Sequence, residues 1–506
     1  MQRAKVINNI NFEKGKISPT LYGSFIEHMG RVVYSGIYEP EHPQADENGF
    51  REDVLEKVRD MGVTCIRYPG GNFVSHYDWR DGVGPKEERP RRRELAWKSI
   101  ETNQFGTDEF MQWIEKAGAE PIFATNLGTA GVENAVSLLE YCNMHEGTFY
   151  SDKREKNGRK EPYGIKKWCL GNEMDGIWQL GHKDAKDYGK LAAQTAHAMK
   201  SLDENVELVV CGSSSTSMAT YTDWERTVLE YTYEFVDYIA LHQYYGGQEK
   251  GTAEFLAQSL DLEQYIRTVI GICDTVKSKK RGKKDIQISI DEWGVWEIPG
   301  EDVAESVMNR DWEVAPAFSE QIYTMEDSLL FASMLMAIVR NCERVKIACQ
   351  SLLTNISAAI MTERVGECWV QPIYYPFSFM SKYARGTVLE TVSDIPVYVS
   401  ETHGNVPVLD VLTVFNEDRK ELVYFIVNRI EEKVEISMQI EDIAVEKFLE
   451  WVVLQHEDVK ATNEKKHDNV VPKRQTVKAA GDEDFCYRIE PYSWNMIRFR
   501  VKSIEK

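Results

Sequence analysis

The chain has 506 residues, and its 81 acidic residues against 60 basic ones give a formal net charge of -21. An acidic surplus of this size excludes binding to a phosphate backbone as the main task, because proteins that bind nucleic acid present a basic surface. The length exceeds that of one typical hydrophobic core. We therefore expect two domains, with a large α/β barrel as the candidate main body.

The start of the chain lacks the apolar core of a signal peptide, and no stretch approaches the roughly 18 apolar residues of a membrane span. We therefore expect a soluble, cytoplasmic protein with no membrane partner. The nine cysteines are scattered singly, which indicates neither a disulfide framework nor a CxxC metal site. Four of them lie in apolar, strand-like runs where a free thiol behaves as a small hydrophobe: Cys65, Cys169, Cys211 and Cys349. We expect no metal and no cofactor.

Short apolar runs alternate with segments of helical periodicity over most of the chain. The runs that we predict to be strands are residues 21–28, 63–72, 121–126, 166–173, 207–212, 238–244, 286–292 and 345–350. Helical spacing of apolar residues predicts helices between several of them, for example over 50–61, 107–117 and 132–145. Eight buried strands alternating with helices are typical of a (β/α)8 TIM barrel with parallel strands.

From about residue 386 the pattern changes to short β-rich runs separated by polar turns, without long helices. Many short strands of this kind predict a β-sandwich, here a jelly-roll-like domain. We therefore assign residues 17–385 to the barrel and 386–506 to the sandwich. Residues 1–16 are expected to add a strand to the sandwich, because chain termini often lie close together. The predicted fold class is α/β, a TIM barrel followed by a C-terminal β-sandwich.

Two of the predicted barrel strands end in a glutamate, Glu173 after the fourth strand and Glu292 after the seventh. Since the active site of a TIM barrel lies at the C-terminal ends of its strands, both carboxyl groups are expected in one cavity. Hydrolysis of a glycosidic bond needs such a pair, one to protonate the leaving oxygen and one to attack the anomeric carbon or activate water. A single strand-end glutamate is often only part of an ion pair. The pair on one barrel favours a glycosidase.

Further polar side chains follow the ends of the other predicted strands, which a purely structural barrel would not need. They are Glu27, Arg67, Asn72, Asn126, Asn172, His242, Tyr244 and Gln350. Asn172 directly precedes Glu173, where its amide can bind a sugar hydroxyl beside the reacting carbon.

Several longer motifs resemble glycoside hydrolase family 51. The motifs are WCLGNEMDG at 168–176, RYPGGNF at 67–73, WKSIETNQFGT at 97–107, HQYY at 242–245 and DEWGVW at 291–296. They span essentially the whole predicted barrel, and the trailing sandwich also fits. The family consists chiefly of retaining α-L-arabinofuranosidases whose acid/base ends strand four and whose nucleophile ends strand seven. The resemblance thus implies Glu173 as the acid/base and Glu292 as the nucleophile.

The resemblance also implies roles for other positions. Arg67 and Tyr244 would hydrogen-bond Glu292, because hydrogen bonds and positive charge keep a carboxylate ionised and oriented. The residues that would surround the furanose ring are Glu27, Asn72, Asn172 and Gln350 as polar contacts, Trp97 and Trp296 as apolar walls, and His242 beside the two carboxyl groups. The implied partners are an arabinose-containing oligosaccharide as substrate and further copies of the chain, often in a hexamer.

Two positions depart from the family pattern. Gly294 stands where Asn is common, and Glu297 stands where an aromatic residue is common. Both lie beside the site, so they bear on the preference for the leaving group more than on the chemistry. The acidic segment 299–316 follows the seventh strand as a long insertion, and we expect it to form either a lid or a contact with a neighbouring subunit.

Three other functions deserve comparison with the family 51 hypothesis. A metal-dependent barrel hydrolase is disfavoured because the sequence contains no HExxH motif and no strand-one HxH pair. A carbohydrate-binding protein without catalysis is disfavoured by the presence of both glutamates. A β-xylosidase or endoglucanase on the same barrel stays open, since a pair of glutamates is indifferent to the sugar.

Overall fold

The structure is a computed structural model that describes residues 2–297, 302–476 and 485–502. Eight parallel strands form a closed barrel in which each strand pairs with the next and the eighth pairs with the first. The strands are Gly23–Phe25, Cys65–Tyr68, Glu120–Ala124, Lys167–Leu170, Glu207–Cys211, Tyr238–Tyr245, Gln287–Val295 and Val345–Gln350. This architecture confirms the predicted (β/α)8 barrel.

Helices cover the outside of the barrel. Those of at least six residues are Glu52–Met61, Thr107–Ala117, Val132–Asn143, Phe149–Lys156, Ala185–Leu202, Asp223–Thr232, Thr252–Ala257, Ser259–Lys280, Val303–Asn309, Met325–Arg340 and Tyr374–Tyr383, and a shorter one is Gly71–Val74. Within the described ranges, no helix combines the length and the apolarity that crossing a membrane requires.

The barrel strands are short because only part of each apolar run joins the ladder. The strand Lys167–Leu170 is buried along its whole length, as expected for parallel strands with the barrel interior on one face and helices on the other. The first strand ends at Phe25, earlier than predicted, and the chain then turns into a loop that carries Glu27. The polar residues after the strands are thereby placed on the rim of the barrel.

A second body contains a nine-stranded sheet. Its strands are Gln2–Lys16, Thr387–Asp394, Leu409–Asn416, Glu421–Asn428, Val434–Glu441, Val445–Leu454, Lys473–Arg474, Phe485–Ile489 and Ser493–Val501. The first strand of the chain lies inside this sheet, antiparallel to Thr387–Asp394 and parallel to Val434–Glu441.

The long sheet curls over on itself to give the predicted sandwich. The strand Phe485–Ile489 lies at one edge of the sheet. The ring centroid of Phe485 nevertheless lies 4.9 Å from that of Phe499, whose strand is six places away in the order of the sheet. The ring centroids of Trp451 and Tyr487 are likewise 5.4 Å apart. These contacts close a hydrophobic core between the two halves of the sheet.

Three short hairpins complete the fold. They are Arg92–Glu94 with Ser99–Glu101, Ile360–Thr362 with Cys368–Val370, and Val397–Ser400 with Gly404–Pro407. The first hairpin carries Trp97 in its turn, so it bears directly on the site described below.

The helix Met325–Arg340 lies between the barrel and the sandwich. Every residue from Met325 to Val339 is buried, as expected of a helix that has apolar neighbours on all sides. At its end, Nη2 of Arg340 donates to Asp410 of the sandwich over 2.5 Å, and Asp410 also accepts from Nη2 of Arg429 over 2.7 Å. A buried ion network therefore fastens the sandwich to the base of the barrel.

Candidate active site

A cavity of about 290 Å³ opens among the residues that follow the barrel strands. This volume lies at the lower end of the range of small-molecule sites, which suits a single sugar ring. Seven of the predicted site residues line it: Glu27, Asn72, Trp97, Glu173, Tyr244, Glu292 and Trp296. The predicted strand-end residues therefore converge on one place, as the barrel topology requires.

Glu173 follows the fourth strand through a tight turn. Gly171 has a φ of +97° and Glu173 itself a φ of +43°, and a side chain on Gly171 would approach Met174 to 3.2 Å. The turn directs Oε1 of Glu173 to Nδ1 of His242, 3.0 Å away, while Oε2 accepts a hydrogen bond from Nε1 of Trp178 over 2.7 Å. Burial raises the pKa of Glu173 and the negative charge of Glu292 adds to it, although the hydrogen bond from His242 opposes the shift. A raised pKa suits a proton donor.

Glu292 is buried in the seventh strand and receives two hydrogen bonds. Nη1 of Arg67 donates to its Oε1 over 2.8 Å, and the hydroxyl of Tyr244 donates to its Oε2 over 2.9 Å. The same hydroxyl lies 2.7 Å from Oγ of Ser351, which fixes the Tyr244 ring. Both contacts stabilise a negative charge on Glu292 and fix the orientation of its carboxyl group.

The two carboxyl groups lie close together. One oxygen of Glu173, one oxygen of Glu292 and a ring nitrogen of His242 all lie within 4.8 Å of one another. Retaining glycosidases place their carboxyl groups about 5–5.5 Å apart and inverting ones about 6.5–9.5 Å apart. The separation is therefore that of a retaining pair.

Glu27 forms a third carboxyl group on the cavity wall. Its Oε1 accepts hydrogen bonds from the backbone N–H of Phe73 over 2.8 Å and from Nε1 of Trp97 over 2.7 Å. Burial and the charge of Glu292 raise the pKa of Glu27 to about 8. At neutral pH the group is thus protonated and has both a donor and an acceptor to offer a sugar hydroxyl.

A chain of hydrogen bonds runs from Glu292 through Arg67 and Asn172 to Asn72, which lies in the helix Gly71–Val74. Nη2 of Arg67 donates to Oδ1 of Asn172 over 2.6 Å, and Nδ2 of Asn172 lies 3.4 Å from Oδ1 of Asn72. Because Arg67 bridges Asn172 and Glu292, one guanidinium fixes the geometry of the amide and the carboxylate together.

The remaining predicted residues occupy different places. Trp296 lines the cavity, with its ring 5.1 Å from that of Tyr244 and Nε1 donating to Ser319. Gln350 lies beneath the lining, where Nε2 donates to the carbonyl of Ser357 over 2.9 Å. Asn126 is turned away from the cavity. Its Oδ1 accepts hydrogen bonds from backbone N–H groups of its own loop, and its Nδ2 donates to the carbonyl of Tyr77. The prediction that Asn126, which follows the third strand, contributes to the site was therefore wrong.

The sequence alone missed Trp178 and Glu94. Trp178 lines the cavity and contacts Glu173 although half of its surface is exposed, and an Ile-Trp pair in an otherwise polar loop was the available signal. The carboxylate of Glu94 accepts the backbone N–H groups of Ala96 and Trp97, each over 2.7 Å. It thereby fixes the turn that presents Trp97 to the cavity, and no spacing in the sequence indicates this contact.

The two departures from the family pattern differ in their surroundings. The carboxylate of Glu297 turns back to accept the backbone N–H of Gly247, so this side chain stabilises a loop and does not line the cavity. A Cβ atom at Gly294 would meet only the carbonyl of Ser351, at an ordinary 3.4 Å. Nothing in the backbone therefore demands glycine at that position.

Part of the insertion 299–316 lies outside the described residues, namely 299–301. The described remainder includes the helix Val303–Asn309 and runs against the hairpin that carries Trp97: the backbone N–H of Ile100 donates to the carbonyl of Glu313 over 2.8 Å, and Nζ of Lys98 donates to that of Met308. The described part of the insertion therefore packs against the hairpin whose turn presents Trp97 to the cavity.

One group of potential metal ligands is found among the described residues, and it consists of Glu173, His242 and Glu292. Burial alone would lower the pKa of His242, but the charge of Glu292, the hydrogen bond to Glu173 and the charge of Asp291 raise it to about 9. The imidazolium form carries an N–H at both ring nitrogens, which suits hydrogen bonding to the carboxyl groups.

A closed (β/α)8 barrel with a close pair of carboxyl groups at the ends of its fourth and seventh strands defines a glycoside hydrolase.

Comparisons with known proteins identify the family. Residues 57–267 match the model "Alpha-L-arabinofuranosidase 1 domain" and residues 291–493 match "Alpha-L-arabinofuranosidase C-terminal domain". The chain is 48% identical over 500 residues to an intracellular exo-α-(1→5)-L-arabinofuranosidase of Acetivibrio thermocellus, with 98% of this chain and 99% of the relative covered. It is 46% identical over 503 residues to such an enzyme of Bacillus subtilis, with 99% and 100% covered.

Among solved structures, a family 51 α-L-arabinofuranosidase from Bifidobacterium longum superposes with a TM-score of 0.94 at 38% identity, covering 99% of this chain and all of that one. The chain belongs to glycoside hydrolase family 51, the α-L-arabinofuranosidases. This confirms the resemblance read from the motifs, and it does not favour the β-xylosidase or endoglucanase alternative.

Proposed function

We propose that Glu292 is the nucleophile and Glu173 the general acid/base of a retaining α-L-arabinofuranosidase. The observation that carries the assignment is the difference in their partners. Glu292 receives a guanidinium N–H and a phenol O–H, which favour its ionised form. Glu173 lies beside that negative charge in a largely enclosed position, where its side chain is 11% exposed, and this favours its protonated form.

In the first step, a carboxylate oxygen of Glu292 forms a bond to the anomeric carbon while the bond to the leaving oxygen breaks. Glu173 gives its proton to that oxygen, and an arabinosyl ester of Glu292 results. In the second step, Glu173 takes a proton from water, whose oxygen displaces Glu292 and restores the starting configuration. Formation of the ester removes the charge of Glu292, so the pKa of Glu173 falls when its role changes from acid to base.

The substrate that we infer is an arabinose-containing oligosaccharide from which the enzyme releases terminal, non-reducing α-L-arabinofuranosyl residues. A cavity of about 290 Å³ holds one ring and suits removal of a chain end. The relatives from A. thermocellus and B. subtilis are named exo-α-(1→5)-L-arabinofuranosidases, which supports an α-(1→5) preference.

We further infer an intracellular protein that forms a homo-oligomer. The intracellular location is supported by the names of the two relatives. Cell fractionation tests the location. Sedimentation equilibrium tests the assembly, since a hexamer would have six times the 58.2 kDa mass of the chain and a monomer would contradict the inference.

The activity is tested by initial rates on aryl α-L-arabinofuranoside, aryl β-xyloside and aryl cellobioside at matched concentrations. We expect the arabinofuranoside to be hydrolysed fastest, and NMR of the first product formed should show the α anomer of arabinose. A higher rate on the xyloside or the cellobioside would replace the proposed substrate class. Release of the β anomer would contradict the retaining mechanism.

A further inference from the structure

Asp291 lies directly below the catalytic pair, and only 2% of its surface is exposed. Neighbouring residues in a regular strand point to opposite faces of the sheet. The seventh strand departs from this rule, because its pairing shifts register between Ser289 and Glu292 on one side and between Ile290 and Trp293 on the other. Such an irregularity re-aims side chains. As a result, both Asp291 and Glu292 approach the same guanidinium.

Arg67 forms a buried ion pair with Asp291. Nε of Arg67 lies 3.3 Å from Oδ2 of Asp291, while Nη1 donates to Glu292. The thiol of Cys169 also contacts Oδ2 of Asp291, with its Sγ 3.6 Å from that oxygen. The other oxygen, Oδ1, is buried without a hydrogen-bond partner among the described residues and lies 3.9 Å from Nε2 of His242. The free oxygen of Asp291 therefore faces the histidine ring.

His242 connects Asp291 to the general acid. Its Nδ1 lies 3.0 Å from Oε1 of Glu173 and 3.6 Å from Oε2 of Glu292. An imidazolium carries an N–H at both nitrogens, so it donates from Nδ1 to Glu173 while its Nε2 side faces Asp291. Each oxygen of Glu173 therefore has its own N–H donor, His242 at Oε1 and Trp178 at Oε2, and Trp178 lines the cavity.

We propose that Asp291 is a positioning residue of the reaction: paired with Arg67, it keeps His242 as a cationic hydrogen-bond donor to Oε1 of Glu173 and thereby holds the general acid with Oε2 on the side of Trp178. The inference rests on the proposed role of Glu173. The charges are consistent with it, because three carboxyl groups surround two cations, and the cluster is electrically neutral when one carboxyl group, Glu173, carries a proton.

Other titratable groups near Asp291 do not compete for this role. The thiols that face it are those of Cys169, Cys211 and Cys349, and burial raises the pKa of each of them. Burial, together with the charge of Glu292, also raises the pKa of Tyr244. All four groups are neutral at the pH of the reaction, so Asp291 is the charge that acts on the far side of His242.

The test is the isosteric variant Asp291→Asn, with Cys169→Ala as its matched control. Removal of a negative charge weakens proton binding by the coupled pair Glu173–His242. The alkaline limb of kcat/KM should therefore move to lower pH, by on the order of one unit. Cys169→Ala removes an uncharged contact of the same carboxylate. In this variant the alkaline limb of kcat/KM should stay at the same pH as in the wild type.

The leaving group provides a second readout. With an arabino-oligosaccharide, which needs the acid proton, Asp291→Asn should lose roughly 10–100-fold in kcat/KM at neutral pH. With a dinitrophenyl arabinofuranoside, which leaves without protonation, kcat/KM should stay near the wild-type value. An equal loss on both substrates with an unmoved alkaline limb would show a merely structural role and overturn the proposal.

The titration of His242 can also be followed directly by NMR of ¹⁵N-histidine-labelled protein, with His242→Gln used to assign the signal. In the wild type, His242 should stay protonated above pH 8, and in Asp291→Asn its midpoint should fall. A wild-type midpoint near the ordinary value of about 6.5 would overturn the proposal even if the variant failed to fold. If the wild type did not hydrolyse arabinofuranosides at all, the proposed function would fail instead.

Discussion

The floor and the rim of the cavity are built in opposite ways. On the floor, Arg67, Asn172 and Glu292 are buried, and hydrogen bonds of 2.6–2.8 Å join them across the barrel from the ends of the second, fourth and seventh strands. On the rim, Trp178 is half exposed and Ile177 is 81% exposed. The groups of the floor are thus held by several partners each, whereas those of the rim have few. We expect substitutions on the floor to affect every substrate and those on the rim to affect substrates selectively.

The largest effect should come from Glu292→Gln. The amide cannot form the ester intermediate, so kcat/KM should fall by at least about 10⁴-fold on every substrate, whatever its leaving group. Rates on dinitrophenyl arabinofuranoside and on an arabino-oligosaccharide measure this. Thermal unfolding and arabinose binding serve as controls for folding. A variant that kept activity on either substrate would show that another group is the nucleophile.

Glu173→Ala should separate the substrates. For an arabino-oligosaccharide the loss of the acid proton should cost about 10²–10⁴-fold in kcat/KM. For a dinitrophenyl arabinofuranoside the first step should continue near the wild-type rate, and a burst of dinitrophenolate should precede slow hydrolysis of the intermediate. Equal losses on the two substrates would contradict the acid/base assignment.

Tyr244→Phe tests whether the hydrogen bond from Tyr244 orients Glu292 for the reaction. The variant removes the O–H donor to Oε2 of Glu292 and leaves the ring packed against Trp296. Loss of one donor to a reacting carboxylate should reduce kcat by roughly 10²-fold on all substrates. A loss confined to KM would mean that Tyr244 binds the sugar without orienting the nucleophile.

Trp178→Phe should have the smallest effect, which is a shift in the pH dependence of kcat/KM. The indole N–H donates to Oε2 of Glu173 and stabilises its ionised form. Phe lacks this donor, so the pKa of Glu173 should rise and the alkaline limb of kcat/KM should move to higher pH. The neighbouring Ile177→Ala is the matched control and should leave the limb in place. A shift to lower pH in Trp178→Phe would contradict the role of the indole.

This contrast also explains what the sequence could predict. Glu173 and Glu292 were predictable because each closes an apolar run at a strand end, and barrel topology brings strand ends together. The separate roles of the two glutamates came from the family resemblance, since spacing alone treats them alike. The barrel and the sandwich followed from periodicity, which long regular elements express clearly.

Other features depend on contacts that no local pattern encodes. Asn126 follows a strand like the other polar residues, but its side chain hydrogen-bonds its own loop. Glu94 and Trp178 act from loops whose course is set by packing elsewhere in the molecule. The approach of Asp291 to His242 depends on a register shift in the seventh strand, which the alternation of side chains would not predict.

The central claim, that Glu292 is the nucleophile, can be tested most directly by trapping the intermediate. The protein would be incubated with dinitrophenyl 2-deoxy-2-fluoro-α-L-arabinofuranoside, digested, and mapped by mass spectrometry. We predict one fluoroarabinosyl adduct per chain, located on Glu292, with the variant Glu292→Gln remaining unlabelled. An adduct on Glu173, Asp291 or Glu27, or steady turnover without any adduct, would contradict the account.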